Sequence, residues 1–318
     1  RCAVYENLIK ADALVADKED TLELRDVNAD GNDEVVINTK DISLYISPED
    51  GGTIRELDFK AGGVNIMNTL SRHREGYHKK LEEACRVEAV RGDNVTSIHG
   101  NVTVKEEGLD GYLIFDDLRR ASLRERFLDS NAELTAEALR RSQLEELGGF
   151  SSRCCGVELI DGLGVVLERR GDIEGQNVSL EKRLSVEGAT VKVDYTIEGE
   201  AGNPLSTIFT IELNFLLPGC SGPLSYVESG GERVGLSESK EFEASKNITL
   251  VDGFAATEVS INTSVPVKIL TYPVETVSLS EGGFERIYQG TSIVLAIPVE
   301  VSSEALSELS VEVAVKSR

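Results

Sequence analysis

Tryptophan is absent from this sequence, aromatic residues make up 5%, and histidine occurs three times. Sugar-binding modules that work alone stack sugar rings on exposed aromatic faces, and recognition sites in general favour Trp and Tyr. Their scarcity argues against a stand-alone lectin. No apolar run approaches the ~20 residues of a spanning helix, and no basic segment followed by an apolar one marks a secretory leader. Positive charge is short as well: 33 Lys and Arg face 56 Asp and Glu, for a formal net charge of −23. Nucleic acid and anionic membrane surfaces both demand a basic face, so neither is an expected partner. The five cysteines (Cys2, Cys85, Cys154, Cys155 and Cys220) are few and odd in number. Adjacent Cys154 and Cys155 cannot easily ligate one zinc ion together, and so sparse a set argues against a disulfide framework. Reduced thiols in a cytoplasmic protein are the expectation. No Gly-rich phosphate loop, no G-x-S-x-G and no Ser/His/Asp grouping is present.

What is there is mostly alternation. Residues 1–18 place Val4, Leu8, Ile9, Ala11 and Val15 at helical spacing, an amphipathic helix. From residue 19 the pattern switches to period two: TLELRD, EVVINTK, DISLYIS and, after the Pro48–Gly52 turn, TIRELDF read as strands. Residues 65–88 are more helical and charged, 95–106 and GYLIFDD (111–117) return to strand, and 118–147 read as a helical or irregular excursion. Beyond Gly156 strands follow one another with short Gly-, Asn- and Asp-rich turns to the end. More than a dozen strands with short connections imply a mainly β fold of two large packed antiparallel sheets. The first residue is Arg1 rather than Met, and the expectation is the trailing part of a larger protein.

Three constellations invite chemistry. Asp26, Asn28, Asp30, Asn32 and Glu34 alternate around Gly31 in DVNADGNDE. Oxygen groups at alternate positions with a central glycine let a short loop wrap a hard cation, so Ca²⁺ between two strands is one reading. An Asx-rich hairpin turn with its carboxylates in water is the other. Glu275, Glu281 and Glu285 lie in PVETVSLSEGGFERIYQG, where paired carboxylates could do acid–base work on a glycoside; a polar hairpin between core strands accounts for the spacing equally. Arg72, His73 and His78 belong to a basic island in an acidic chain. The i, i+5 spacing of the histidines suits no metal pair. The island is read either as a face docking an acidic domain or as a solvated helix face.

In order along the chain, YENLIKAD (5–12), DVNADGNDEVVINTKDISLYISPEDGGTIRELDF (26–59), NTLSRHREGYHKKLEE (68–83), SLRERFL (122–128), ELGGF (146–150), IELNF (211–215) and PVETVSLSEGGFERIYQG (273–290) resemble one family. It is the C-terminal region of glycoside hydrolase family 57 enzymes of the 4-α-glucanotransferase and α-amylase type. The resemblance implies a galactose-mutarotase-like β super-sandwich over 19–318, preceded at 1–18 by the end of a helical segment. That segment would follow a catalytic (β/α)₇ barrel carrying a Glu nucleophile and an Asp acid/base. No catalytic residue carries over to this sequence, and the only cofactor in view is the loop's Ca²⁺. Where the family commonly has Asp-His, Glu125-Arg126 stands here, so no polar role is carried to that place. The implied function is an accessory domain of a retaining α-glucan-processing enzyme. The expected partners are the catalytic barrel, an α-glucan or maltooligosaccharide and, as a further candidate, a second copy of the chain in a homodimer. A stand-alone carbohydrate-binding protein and an aldose epimerase are the alternatives, the latter needing a His and a carboxylate on one pocket.

Overall fold

A computed structural model describes residues 2–15, 19–83, 106, 108–200, 204–220, 222–304 and 306–318. A helix, α1 (Cys2–Val15), leads into a five-stranded antiparallel sheet in the order β1 (Thr21–Arg25), β2 (Glu34–Asn38), β3 (Ile42–Ser47), β4 (Thr53–Phe59) and β5 (Val64–Asn65). The first four are the strands that the alternation predicts; the two-residue β5 was not expected. The helix rests on the β5 edge, burying Ile9 and placing the Tyr5 hydroxyl 3.4 Å from Glu56, while Val4, Leu8 and Leu14 stay exposed.

The second sheet has twelve strands and is antiparallel throughout. One limb runs through β7 (Gly156–Ile160), β8 (Gly164–Ile173), β9 (Gln176–Glu187), β10 (Thr190–Gly199) and β17 (Leu306–Ser317). The other runs through β6 (Arg124–Asp129), β11 (Leu205–Phe215) and β16 (Gly283–Val301). They meet on β15 (Thr257–Ser280), whose first part pairs with β17 at 257–263 and whose later part pairs with β16 from Lys268 onward. Along its free side lies β14 (Lys240–Asp252), followed by β12 (Tyr226–Ser229) and β13 (Glu232–Gly235). Register shifts near Ser245 of β14 bend the shared region, as bulges do.

Period-two alternation sorts each strand into a core face and an outer face. On β11, Phe209, Ile211 and Leu213 enter the main core, while Thr210, Glu212 and Asn214 face the other way. That core is continuous from the small sheet (Val35, Ile37, Leu44, Leu57) to the large one (Val165, Leu180, Val193, Ile293). A satellite cluster of Leu128, Leu134, Ala136, Leu270, Tyr272, Val294 and Ala296 lies on the outer face of β15 and β16. It is covered by the 130–147 segment and its short helix α2 (Ala136–Arg140).

Several expectations change. Inside the supposed excursion at 118–147, residues Arg124–Asp129 form β6 and pair with β11 over Thr207–Glu212. Three consecutive charges at 124–126 hide this strand, since both of its faces are buried and both are ionic. The strand expected at GYLIFDD is a 3₁₀ turn at Leu109–Tyr112 followed by irregular chain. Helix within 65–88 is found at 78–83, with 84–88 outside the described residues, and the strand expected at 95–106 also lies outside them apart from Glu106.

Candidate functional site: an arginine-lined cleft on the outer face of β6 and β11

A cleft of about 350 Å³ opens on the outer face of β6, β11 and β15. Its wall is built by alternation: Arg124, Arg126 and Leu128 of β6 point into it beside Thr210 and Glu212 of β11 and Tyr272 of β15. The chain at 116–120 and at 139–152 closes the sides, and Asp117, Arg119, Ser142 and Ser152 form an exposed rim.

Glu212 is the hub. Its carboxylate accepts from Arg126 Nη1 at 2.6 Å, Arg120 Nη1 at 3.1 Å and Asn214 Nδ2 at 3.0 Å. Burial alone would raise its pKa, but the Arg126 and Arg120 guanidiniums overcome that and hold it at about 2. Asp116 is gripped likewise: Arg72 Nε and the Arg72 backbone N–H lie 3.1 and 2.8 Å away, and Arg120 Nη2 lies at 2.8 Å. Against its burial, Arg120 and Arg72 keep Asp116 at about 2. Arg120 also stacks over the Tyr272 ring at 5.7 Å. Arg124 forks onto Asp50 at 3.0 and 2.8 Å and also donates to the Ser151 carbonyl. Its Nε is buried without a partner. Among the described residues the Arg119 guanidinium has no hydrogen-bond or ion-pair partner.

On the inner face the same strand builds a second ionic cluster. Glu125 projects into the core between β8, β9 and β10, at 0% exposure. Lys182 Nζ donates to both of its oxygens at 3.0 and 3.1 Å and to the Leu123 carbonyl at 3.0 Å. The Tyr195 hydroxyl donates at 2.8 Å, and Arg169 binds Glu125, the Gly51 carbonyl and the Cys155 sulfur. Gly51 has φ +71°, and a Cβ there would lie 2.4 Å from the Ser151 carbonyl oxygen, so only glycine lets these backbones meet. Glu125 and Arg126, the residues assigned no polar role from the family pattern, are therefore the centres of the inner cluster and the cleft wall. The signal available in the sequence was alternation through Arg-Glu-Arg; the partners lie 44 to 86 positions away.

The residues singled out in the sequence sit elsewhere. Arg72 is buried on Asp116 and the Arg140 carbonyl, behind the cleft. His78 is buried too: Nδ1 accepts from the Glu75 N–H, leaving Nε2–H to donate to the Val277 carbonyl at 3.0 Å. Both side chains are turned away from solvent; His73 alone of the three is exposed. Glu275 is buried on β15 and ion-paired with Arg286, its pKa raised by burial, while Glu281 is exposed in the hairpin turn and Glu285 is on β16 opposite Ser278. Six residues along a strand separate Glu275 and Glu281 by roughly 20 Å, beyond the ~5–9.5 Å of a glycosidase pair. The hairpin account holds there.

In the Asp26–Glu34 loop the oxygens turn largely inward. Asp26 accepts from the backbone N–H groups of Asp30 and Gly31, Asn28 from that of Asp30, and Asp30 from Asn32. Of the five expected ligands, Asp30 and Glu34 do converge, with Glu49 as an unforeseen third; their oxygens lie within 4.8 Å of one another. Arg55 already bridges Glu34 at 3.1 Å and Glu49 at 2.8 Å.

A small five-stranded sheet packed on a bent twelve-stranded one defines a galactose-mutarotase-like β super-sandwich. A galactose mutarotase-like protein from Clostridium acetobutylicum has this fold, with a TM-score of 0.57 and 10% identity over 95% of this chain and 100% of that one. The family described as "Alpha-amylase/4-alpha-glucanotransferase, C-terminal" matches residues 26–311. The chain belongs to that family. It is 34% identical over 296 residues to alpha-amylase 1 of Dictyoglomus thermophilum and 32% identical over 300 residues to the 4-alpha-glucanotransferase of Thermococcus kodakarensis. These alignments cover 92% and 94% of this chain but 42% of each relative's length. The crystal structure of the Thermococcus litoralis 4-alpha-glucanotransferase superposes with a TM-score of 0.76 and 26% identity, over 99% of this chain and 42% of that one.

Proposed function

We propose that this chain is the accessory β domain of a retaining α-glucan-processing enzyme, a 4-α-glucanotransferase or α-amylase of glycoside hydrolase family 57. It packs on a (β/α)₇ barrel that supplies the nucleophile and the acid/base. The observation that carries this reading is the state of the cleft's buried carboxylates. Glycoside cleavage needs a carboxylic acid that keeps its proton near the working pH. Asp116 and Glu212 do the reverse, held at about 2 and saturated by arginines. Among the described residues no histidine lines the cleft, which disfavours an epimerase. Exposed Val4, Leu8 and Leu14 on α1 offer apolar surface for the barrel to cover. Free Cys154, Cys155 and Cys220 are compatible with a cytoplasmic setting, and no described helix is long and apolar enough to cross a membrane.

The test is activity with and without a barrel. Alone, the chain leaves maltoheptaose unchanged. Fused to or mixed with the barrel of a relative, it raises that barrel's thermal midpoint and preserves its transfer or hydrolysis. Turnover by the chain alone would sink the proposal. For the Asp26–Glu34 loop we propose Ca²⁺ as a competitor of Arg55 for the oxygens of Asp30, Glu34 and Glu49. A rise of the melting midpoint in calcium over chelator is the expected result, and an unchanged midpoint removes the ion.

A further inference from the structure

The charge pattern of the cleft selects its ligand. Four guanidiniums and four carboxylates line it, so its lining is formally neutral. An anion entering would find no net positive charge there and would feel the field of a chain carrying −23. It would also have to displace Asp116 or Glu212 from arginines that each already satisfies. A cation meets the mirror-image problem at Arg119 and Arg124.

A neutral polyol has neither difficulty. Each hydroxyl donates and accepts, so one sugar ring can take an N–H from a guanidinium edge and give an O–H to a carboxylate with no charge to desolvate. One donor on the lining stands ready, the exposed Arg119 guanidinium at the rim; the unpartnered Arg124 Nε is a second, which a shift of its buried side chain would open. Leu128, Leu139 and Leu144 add an apolar patch for the C–H face of a pyranose. About 350 Å³ falls at the lower end of the ~300–1,000 Å³ of small-molecule pockets, room for a short saccharide end rather than a long chain.

We propose that this cleft is a non-catalytic binding subsite for the neutral end of an α-glucan. The site rests on the cleft itself, and the choice of an α-glucan over other neutral polyols rests on the function proposed above. A subsite here would tether one end of the polymer to the β domain while its remainder reaches the catalytic part.

Titration calorimetry of the chain with maltotriose tests it, with glucose 6-phosphate as the charged comparison. Maltotriose gives saturable binding, and glucose 6-phosphate binds more weakly. Arg119→Met removes one of these donors without breaking an ion pair, and it weakens maltotriose at least ~10-fold, the loss of about one charge-assisted hydrogen bond. Ser152→Trp fills the exposed mouth without touching an ion pair; it abolishes binding with an unchanged melting midpoint, so a folding defect in the arginine variant cannot imitate the result. No saturable heat up to ~20 mM maltotriose, where even millimolar ligands register, overturns the subsite. So does tighter binding of the phosphate, or binding indifferent to Ser152→Trp. Absence of binding by a chain that still supports a barrel overturns the subsite and leaves the accessory role standing. Binding accompanied by turnover in the isolated chain overturns the accessory role instead.

Discussion

Replacing Glu125 by Gln isolates what the inner ionic cluster contributes. At 0% exposure, Glu125 is the only anion among the described residues that pairs with Lys182 and Arg169, also at 0%. Burial would raise its pKa, but Lys182 and then Arg169 pull it below the ordinary range, so it is ionised at neutral pH. The Gln variant keeps the volume and removes the charge, leaving two buried cations uncompensated. Loss of one member of a buried ion pair costs about 3–5 kcal/mol. Lys182→Met removes a cation instead, and Glu125 keeps Arg169 and the Tyr195 hydroxyl. What remains is chiefly an unsatisfied Leu123 carbonyl, costing about 1–3 kcal/mol. Unfolding entropy of about 2.1 cal/mol/K per residue makes 1 kcal/mol worth roughly 1.5 °C in a chain of this length. Calorimetry at pH 7 should therefore show a midpoint drop of about 4–8 °C for Glu125→Gln and about 1.5–4.5 °C for Lys182→Met. Equal losses, or a larger one for Lys182→Met, would refute the charge accounting.

Two further outcomes follow from titration. Asp116 and Glu212 have folded pKa values of about 2, below the unfolded values of ~3.9 and ~4.3. Their contribution is full above the unfolded values and is lost as pH falls towards 2, on the order of 5 kcal/mol together. Melting midpoints should hold near pH 5 and fall steeply by pH 2.5; a flat profile contradicts the arginine grip. Asp58 behaves oppositely: burial, then the charge of Glu56, pushes it up to about 7. A carboxyl raised in the folded state favours folding below the unfolded pKa of ~3.9 and loses that contribution as pH rises through 7. Asp58→Asn, still able to accept from Asn65 Nδ2, should gain on the order of 1–4 kcal/mol at pH 8 and little at pH 4. A destabilised variant at pH 8 would contradict this.

Most of the fold was legible because most strands bury one face of β-branched and aliphatic residues. Strands β9 and β10 are of this kind, and β2, β3 and β4 are apolar enough to bury most of both faces, while β1 stays largely exposed. The cleft was illegible for the same reason in reverse. Its charges sit on a strand whose two faces are both buried, and each charge is compensated by a residue far away in sequence, so no local window distinguishes Arg124–Arg126 from a solvated run. The carboxylate cluster at 275–285 misled the other way: it was dense in sequence but is laid out along a hairpin, which spreads it in space.

The two ionic assemblies are linked through β6. Glu125 turns inward to Lys182 and Arg169, while Arg124 and Arg126 turn outward to Asp50 and Glu212. A one-residue slip of β6 against β11 would send Glu125 to the cleft and an arginine into a core already holding two cations. Hydrophobic strands specify register by which face is apolar. Here charge specifies it on both faces at once, because the wrong register buries like charges together. The arginines that shape the cleft are thus fixed by the cluster behind them, and a change at Glu125 should disturb the cleft before it disturbs the outer strands β12 and β13.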